Sequence, residues 1–264
     1  MLLALMQANA AVLDVEENLA TLEAAAAAAA ESGAAMLLTP ELFLVGYAPA
    51  RLRAHLDPTS LPAVHQRVAA IAVEQHIAIA FSLPAVTESG ELTIAATLVD
   101  DAGTVILTYA KVHLFGPEER EAFVPGALAP TVVQFQGMGV CLAICYDIEF
   151  PEVARAAALA GADLLLVPTA LAHGFDAVPQ VLVRARALES QLTIAYANHS
   201  GVEDGCTFLG GSVIAAPDGG LLAAAGMAPE ILLAEVSAAA ASAARSAVPY
   251  LAERRPDLYG SWGL

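Results

Sequence analysis

Short, uninterrupted apolar runs decide what this chain can fold into. Leu2–Gln7, Ala35–Thr39, Val140–Ile144 and Leu164–Val167 show no alternation of polar and apolar residues. A strand of that composition has to be covered on both faces, which is the situation of strands in the middle of an α/β sheet. Helical patterns lie between these runs. One starts at Asp14, with a capping-box-like Asp14/Glu17 pair, and ends near Ser32 and Gly33. Others span about Ser60–Gln75, with Pro62 in the first turn, Pro151–Ala160, closed by Gly161, and Val178–Ser190. Further extended segments are expected at Ile77–Phe81, Leu92–Val99, Thr104–Ala110, Thr131–Phe135, Thr193–Ala197, Gly210–Ala216 and Ile231–Val236. Asp100–Gly103 and Gly137–Gly139 read as turns between paired strands. Strand and helix alternate from end to end without a linker or an internal repeat, so the expectation is one α/β domain over residues 1–264.

Charge narrows the partners. Eleven basic against 28 acidic residues give a net charge of −17. Phosphate neutralisation dominates nucleic-acid affinity, so such a surface argues against nucleic acid, and equally against anionic lipid. The apolar fraction of 58% owes much to alanine, as in Ala24–Ala30, and no apolar run approaches the roughly 20 residues of a membrane span. Leu2–Leu5 followed by Ala8–Ala10 mimics a short signal peptide, but the first basic residue is Arg51. Three cysteines, an odd count, suit a reducing compartment, and a cytoplasmic location is expected.

Three reactive residues follow apolar strands, where open α/β sheets place their ligands: Glu41, Lys111 and Cys145. A thiol nucleophile, a carboxylate that carries protons and an ammonium that stabilises an oxyanion together suit covalent acyl transfer. Lys111 is the only lysine in the chain. Lysine is a compact donor whose pKa responds to burial, whereas arginine stays charged and forked. The competing reading is a surface lysine left by chance. Cys141 lies four residues before Cys145, and on one strand the two would point to the same side. What separates them is the polar corner Tyr146–Glu152, whose backbone N–H groups can face an oxyanion; Cys141 reads as core. Six histidines show neither an H-E-x-x-H pattern nor a zinc spacing, so no metal is expected. A dyad of Cys145 with His113 is the rival mechanism.

The segments Pro40–Tyr47, Tyr109–Phe115 and Cys145–Glu152 resemble the nitrilase superfamily of carbon–nitrogen hydrolases, in order and approximate spacing. The resemblance extends over nearly the whole chain, to Arg254–Tyr259. It implies a four-layer α-β-β-α sandwich that pairs through helices into a homodimer, and a catalytic triad of Glu41, Lys111 and Cys145 that needs no cofactor. It also implies a second glutamate after the lysine, at Glu119 or, less in keeping with the pattern, Glu118. His113 becomes a supporting residue behind the triad. Tyr146, through its backbone N–H, and Thr169, Ala170, Leu171 and His173 become the substrate-binding set.

The expected reaction is hydrolysis of a small non-peptide amide to carboxylic acid and ammonia through a thioester. Cys145-Tyr146-Asp147 looks more like the amidases than like true nitrilases. Small apolar residues in Thr169–Gly174 point to a short aliphatic acyl group. Glu149 stands where branches acting on α-keto dicarboxylic amides often carry an arginine, which weakens an ω-amidase reading. The alternatives are N-carbamoyl hydrolysis, ω-amidase activity and, from another class, a catalytically silent dimeric binding protein.

Overall fold

The computed structural model describes residues 1–262. The first half begins with β1 (Leu2–Gln7), helix α1 (Val15–Glu31) and β2 (Met36–Leu38). Helices α2 (Pro49–His55) and α3 (Leu61–Gln75) lead to β3 (Ala78–Val86), β4 (Leu92–Val99) and β5 (Val105–Ala110), and α4 (Gly116–Ala122) follows. The second half runs β6 (Val132–Phe135), β7 (Met138–Leu142), α5 (Pro151–Leu159), β8 (Leu164–Pro168), α6 (Val183–Ser190) and β9 (Thr193–Ala197). A small hairpin of β10 (Val202–Glu203) and β11 (Cys206–Thr207) precedes β12 (Val213–Ala215), β13 (Leu221–Ala224), β14 (Glu230–Glu235) and α7 (Ala238–Ala247).

These strands form two six-stranded sheets, ordered β14-β1-β2-β3-β4-β5 and β13-β12-β9-β8-β7-β6. In each, three parallel strands occupy the middle and antiparallel strands flank them. Four of the six central strands, β1, β2, β7 and β8, are the uninterrupted apolar runs of the sequence; β8 and β9 are buried throughout. Helices α1 and α3 pack on one sheet and α5 and α6 on the other, while the sheets face each other across a shared core. The result is the four-layer α-β-β-α sandwich. Although no repeat is visible in the sequence, the same strand plan occurs twice. Hydrogen-bond topology depends on where apolar runs fall, not on which apolar residues fill them.

Local signals set several boundaries. The Asp14 side chain accepts the Glu17 N–H at 3.1 Å and caps α1. Helices α3 and α6 end on His76 and Gln191 in the left-handed region, at φ 51° and 54°. The predicted helix from Val178 begins as a π-helical turn, Val178–Leu182, before α6. The extended segment expected at Gly210–Ala216 forms a strand only at Val213–Ala215.

The end of β5 is held by an unusually close approach. Gly126 N–H donates to the Lys111 carbonyl at 2.7 Å, and a Cβ on Gly126 would lie 2.5 Å from the Ala110 carbonyl oxygen. That contact is with backbone, which cannot rotate aside. Gly126→Ala is therefore expected to destabilise the fold by about 1–3 kcal/mol, as overpacking does. A fall in the thermal unfolding midpoint measures it; an unchanged midpoint would mean the segment simply shifts.

Candidate active site

Turns that leave the ends of β2, of the edge strand β5 and of β7 meet. Glu41 follows β2, in a turn held by Leu13 N–H donating to the Val45 carbonyl and by Asn18 Nδ2 donating to the Leu44 carbonyl. Gly46 ends this turn at φ +75°, where a Cβ would come within 2.6 Å of Val12 Cα, so Tyr47 leaves the turn in a fixed direction. Lys111 ends β5. Cys145 does not continue β7, which stops at Leu142; it opens a short 3-10 turn, Cys145–Glu149, at φ +47°. The expectation that Cys141 and Cys145 share one side of a strand is thus corrected. Cys141 stays inside the sheet as core, with its thiol pushed up to about 12 by burial.

A non-glycine residue in the left-handed region costs about 1–3 kcal/mol unless its surroundings enforce it. Asp147 enforces it here. Its Oδ2 accepts the Ile144 N–H at 3.2 Å and the Tyr109 hydroxyl at 2.9 Å, and its Oδ1 accepts the His113 backbone N–H at 2.9 Å. His113 Nδ1 lies 2.9 Å from the same Oδ1, and its ring stacks on Phe150 at 3.8 Å. His113 thereby supports the nucleophile turn from behind.

Lys111 is fully buried and its Nζ donates to Glu41 Oε1 at 2.7 Å and to both oxygens of Glu119 at 2.8 and 2.9 Å. Glu119 is buried while Glu118 is exposed, which decides between the two for the contact with Lys111. Helix α4 presents Glu119, whose Oε2 also accepts the Phe115 N–H at 2.7 Å, and the Tyr47 hydroxyl donates to Oε1 at 2.5 Å. Burial alone would lower Lys111, but Glu41 and Glu119 outweigh it, so Lys111 remains an ammonium. Burial pushes Glu41 up to about 7, against the pull of Lys111. Glu41 Oε2 has no hydrogen-bond partner, and the Cys145 thiol sits beside that carboxyl group, close enough to lower its pKa. Burial, and then Glu41, raise Cys145 well above the ordinary thiol range, so the resting nucleophile is a neutral thiol.

The residues after β8 form the opposite wall. The Thr169 carbonyl accepts the Glu41 N–H at 3.2 Å, and the Ala170 backbone N–H faces the Cys145 sulfur. Leu171 is buried, held by Asn198 through its N–H at 2.7 Å. His173 is exposed, and its backbone N–H donates to the Thr207 carbonyl at 2.9 Å. The Tyr146 ring packs edge-on against Phe115 and Phe150. Tyr47, Tyr109, Asp147, His199 and Glu203 had no assigned role in the sequence reading. Tyr47, Tyr109 and Asp147 lie inside the three segments quoted above, and a polar residue embedded in such a segment was the available signal. Among the described residues, no group of three His, Cys, Asp or Glu side chains is arranged to hold a metal, and no helix is long and apolar enough to cross a membrane.

This geometry is that of a buried cysteine hydrolase site, and comparison with known proteins agrees. Residues 2–246 match the carbon–nitrogen hydrolase family. The amidase of Nesterenkonia sp. AN1 is 44% identical, superposes with a TM-score of 0.93, and 99% of each chain is covered. An (R)-stereoselective amidase of a Pseudomonas species is 34% identical over 94% of this chain and 89% of its own length. A hydrolase of Pseudomonas protegens is 39% identical over 98% of this chain and 90% of its own. The chain belongs to the carbon–nitrogen hydrolases. Within them it is a cysteine-dependent amidase, an enzyme acting on non-peptide C–N bonds.

Asp147 is the most heavily used acceptor behind the nucleophile. Asp147→Asn keeps the shape but turns one oxygen into a donor facing N–H or O–H groups. The expected loss is about 1–3 kcal/mol of stability for the donors left unsatisfied. Chemical denaturation measures it; a wild-type midpoint would show that the turn holds without the carboxylate.

Proposed function

We propose that the enzyme hydrolyses short aliphatic amides to the carboxylic acid and ammonia, with Glu41, Lys111 and Cys145 as its catalytic triad. The observation that carries this reading is a buried carboxyl group with one free oxygen beside a neutral thiol, both next to a buried ammonium. Glu41 takes the Cys145 proton as sulfur bonds to the amide carbon, so the thiolate forms only during attack. The carbonyl oxygen gains the negative charge. The Lys111 ammonium and the Tyr146 N–H hold it, each such donor typically contributing about 3 kcal/mol to the barrier. Lys111 makes two contacts to Glu119, so one N–H can turn to the oxyanion without losing that partner. Collapse breaks the C–N bond, and the leaving nitrogen takes the proton from Glu41. Water then gives a proton to Glu41 and its oxygen to the thioester. The acid departs and the proton returns to sulfur. Glu119, fixed by Tyr47 and Phe115, orients the amide.

A small acyl group suits this wall. Thr169, Ala170 and Leu171 are small or apolar, and Cys145 is only 7% exposed. Glu149 ends the nucleophile turn half-buried; burial raises its pKa, while Arg186 and then Lys111 are near enough to pull it down. An acid there disfavours substrates with a second carboxylate. The related Nesterenkonia amidase has been captured with butyramide, and with acrylamide added to its active-site cysteine. Free thiols at Cys141, Cys145 and Cys206 favour a reducing cytoplasm. Exposed Leu159 on α5 and Leu188 on α6 favour pairing of two copies through these outer helices.

Ammonia release from short amides, N-carbamoyl amino acids, ω-amides and nitriles tests the assignment. Turnover of the aliphatic amides, absent in Cys145→Ala, is expected; carbamoyl or nitrile turnover alone would overturn the substrate class. Glu41 must be ionised to accept the proton, so kcat/KM is expected to rise with pH through about 7. A flat profile between pH 5 and about 8, where an unshifted carboxylate is already ionised, would remove Glu41 as the base. Glu149→Gln is expected to raise kcat/KM for an ω-amide relative to butyramide by roughly tenfold, the effect of relieving about 1.4 kcal/mol of like-charge repulsion. Equal ratios in both proteins would place the selectivity elsewhere.

A further inference from the structure

His199 takes no part in the chemistry above, yet it is fully buried directly behind the site. It follows β9, where a bridge to Ala8 joins the ends of the two sheets. Its Nδ1 lies 2.6 Å from Glu203 Oε1, and its Nε2 lies 2.6 Å from the backbone carbonyl oxygen of Glu41. Both partners are acceptors. A neutral imidazole has a single N–H and would set a bare lone pair against one of them.

Glu203 is equally committed. Its Oε1 accepts the Ala10 N–H at 2.8 Å and its Oε2 accepts the Tyr47 N–H at 3.0 Å. Backbone donors on both oxygens stabilise the carboxylate. One carboxylate therefore holds Tyr47, whose hydroxyl holds Glu119, and also the imidazole that holds Glu41.

We propose that His199 is a positioning residue held as an imidazolium, clamped between Glu203 and the Glu41 backbone so that Glu41 and Glu119 keep one register about Lys111. The clamp joins the chain after β2 to the chain after β9, which no strand pairing does at that point. Glu203 and Glu41 are the ionisable groups that face the ring; Phe43 and Phe208 cover it, and the Tyr47 hydroxyl turns away to Glu119. Burial alone would lower His199, but Glu203 outweighs it and the ring is held above its ordinary range. Glu203 is lowered in turn by His199, against its own burial. The sign follows. The clamp is complete while His199 is charged and Glu203 ionised, and it weakens as pH rises through the raised pKa of the ring.

The inference rests on Glu41 being the base, but ring protonation is read without turnover, so the two can fail separately. Nitrogen-15 NMR of histidine-labelled enzyme at pH 7 is expected to show protons on both ring nitrogens of His199, with the resonance assigned by its loss in His199→Asn. A single protonated nitrogen on that ring would overturn the proposal, whatever the turnover of the variants. In Glu203→Gln, the second ring proton is expected to be lost at lower pH than in wild type; an unchanged titration would show that Glu203 does not hold the charge. For folded His199→Asn, kcat is expected to fall about 10- to 100-fold, the scale of a misplaced reacting group, with KM for butyramide changed much less. Wild-type kcat, or a loss carried entirely by KM, would overturn the positioning role.

Discussion

A fully buried ammonium is the constraint to which the rest of the site answers. Removing a charge from water costs several kcal/mol even after relaxation, and only close opposite charge and complete hydrogen bonding offset it. Lys111 has three N–H groups and meets three carboxylate oxygens, one from Glu41 and two from Glu119. An arginine fork would be too wide for that point of convergence and could not free one donor for an oxyanion. Once the ammonium is there, the two glutamates must be there as well, and each must be held. Tyr47, the Phe115 N–H and helix α4 hold Glu119; the turn after β2 holds Glu41.

The sheets explain why these groups can meet at all. In both, parallel central strands end at the same side, and the turns that follow carry polar residues into the seam between layers. Burial there gives each group a different character. Glu41 is raised towards neutrality, Lys111 is kept charged by its neighbours, and Cys145 is kept neutral by burial first and by Glu41 second, against the pull of Lys111. A single burial term acting on an acid, a base and a thiol produces three distinct roles because the partners differ.

How much of this was legible follows from how each feature is encoded. Glu41, Lys111 and Cys145 were visible because each follows a contiguous apolar run, a local pattern, and because Lys111 is the only lysine. The buried strands were legible for the same reason. Helices α2 and α4, of seven residues each, were not expected, since two turns are too short to show a periodicity. The left-handed φ of Cys145 was invisible because Asp147, Tyr109 and the nucleophile turn combine only in space; Tyr109 and Asp147 are 38 positions apart. Glu203 was further from view. It reaches Tyr47 across 156 positions from a hairpin that carries no apolar pattern. Local periodicity reveals elements, whereas polar networks are written in the pairing of elements.

That division bears on how the proton is handled. A thiolate already formed at rest would need a strongly positive surrounding, and this site supplies one ammonium against two carboxylates. The arrangement instead leaves the proton on sulfur and places the proposed acceptor beside it, raised by burial to about 7. In the proposed reaction, transfer from Cys145 to Glu41 moves charge within the buried cluster without changing its total. No ion has to enter or leave a low-dielectric interior during attack, and the same carboxyl group then holds the proton that the leaving nitrogen requires. In that scheme the net charge of the cluster is constant through both halves of the reaction, and only its distribution changes. The acidic character of the chain, −17 overall, is therefore no obstacle to a nucleophile here. What matters is the local count of charges around Lys111, and that count is set by the two sheets that bring Glu41, Glu119 and Cys145 to it.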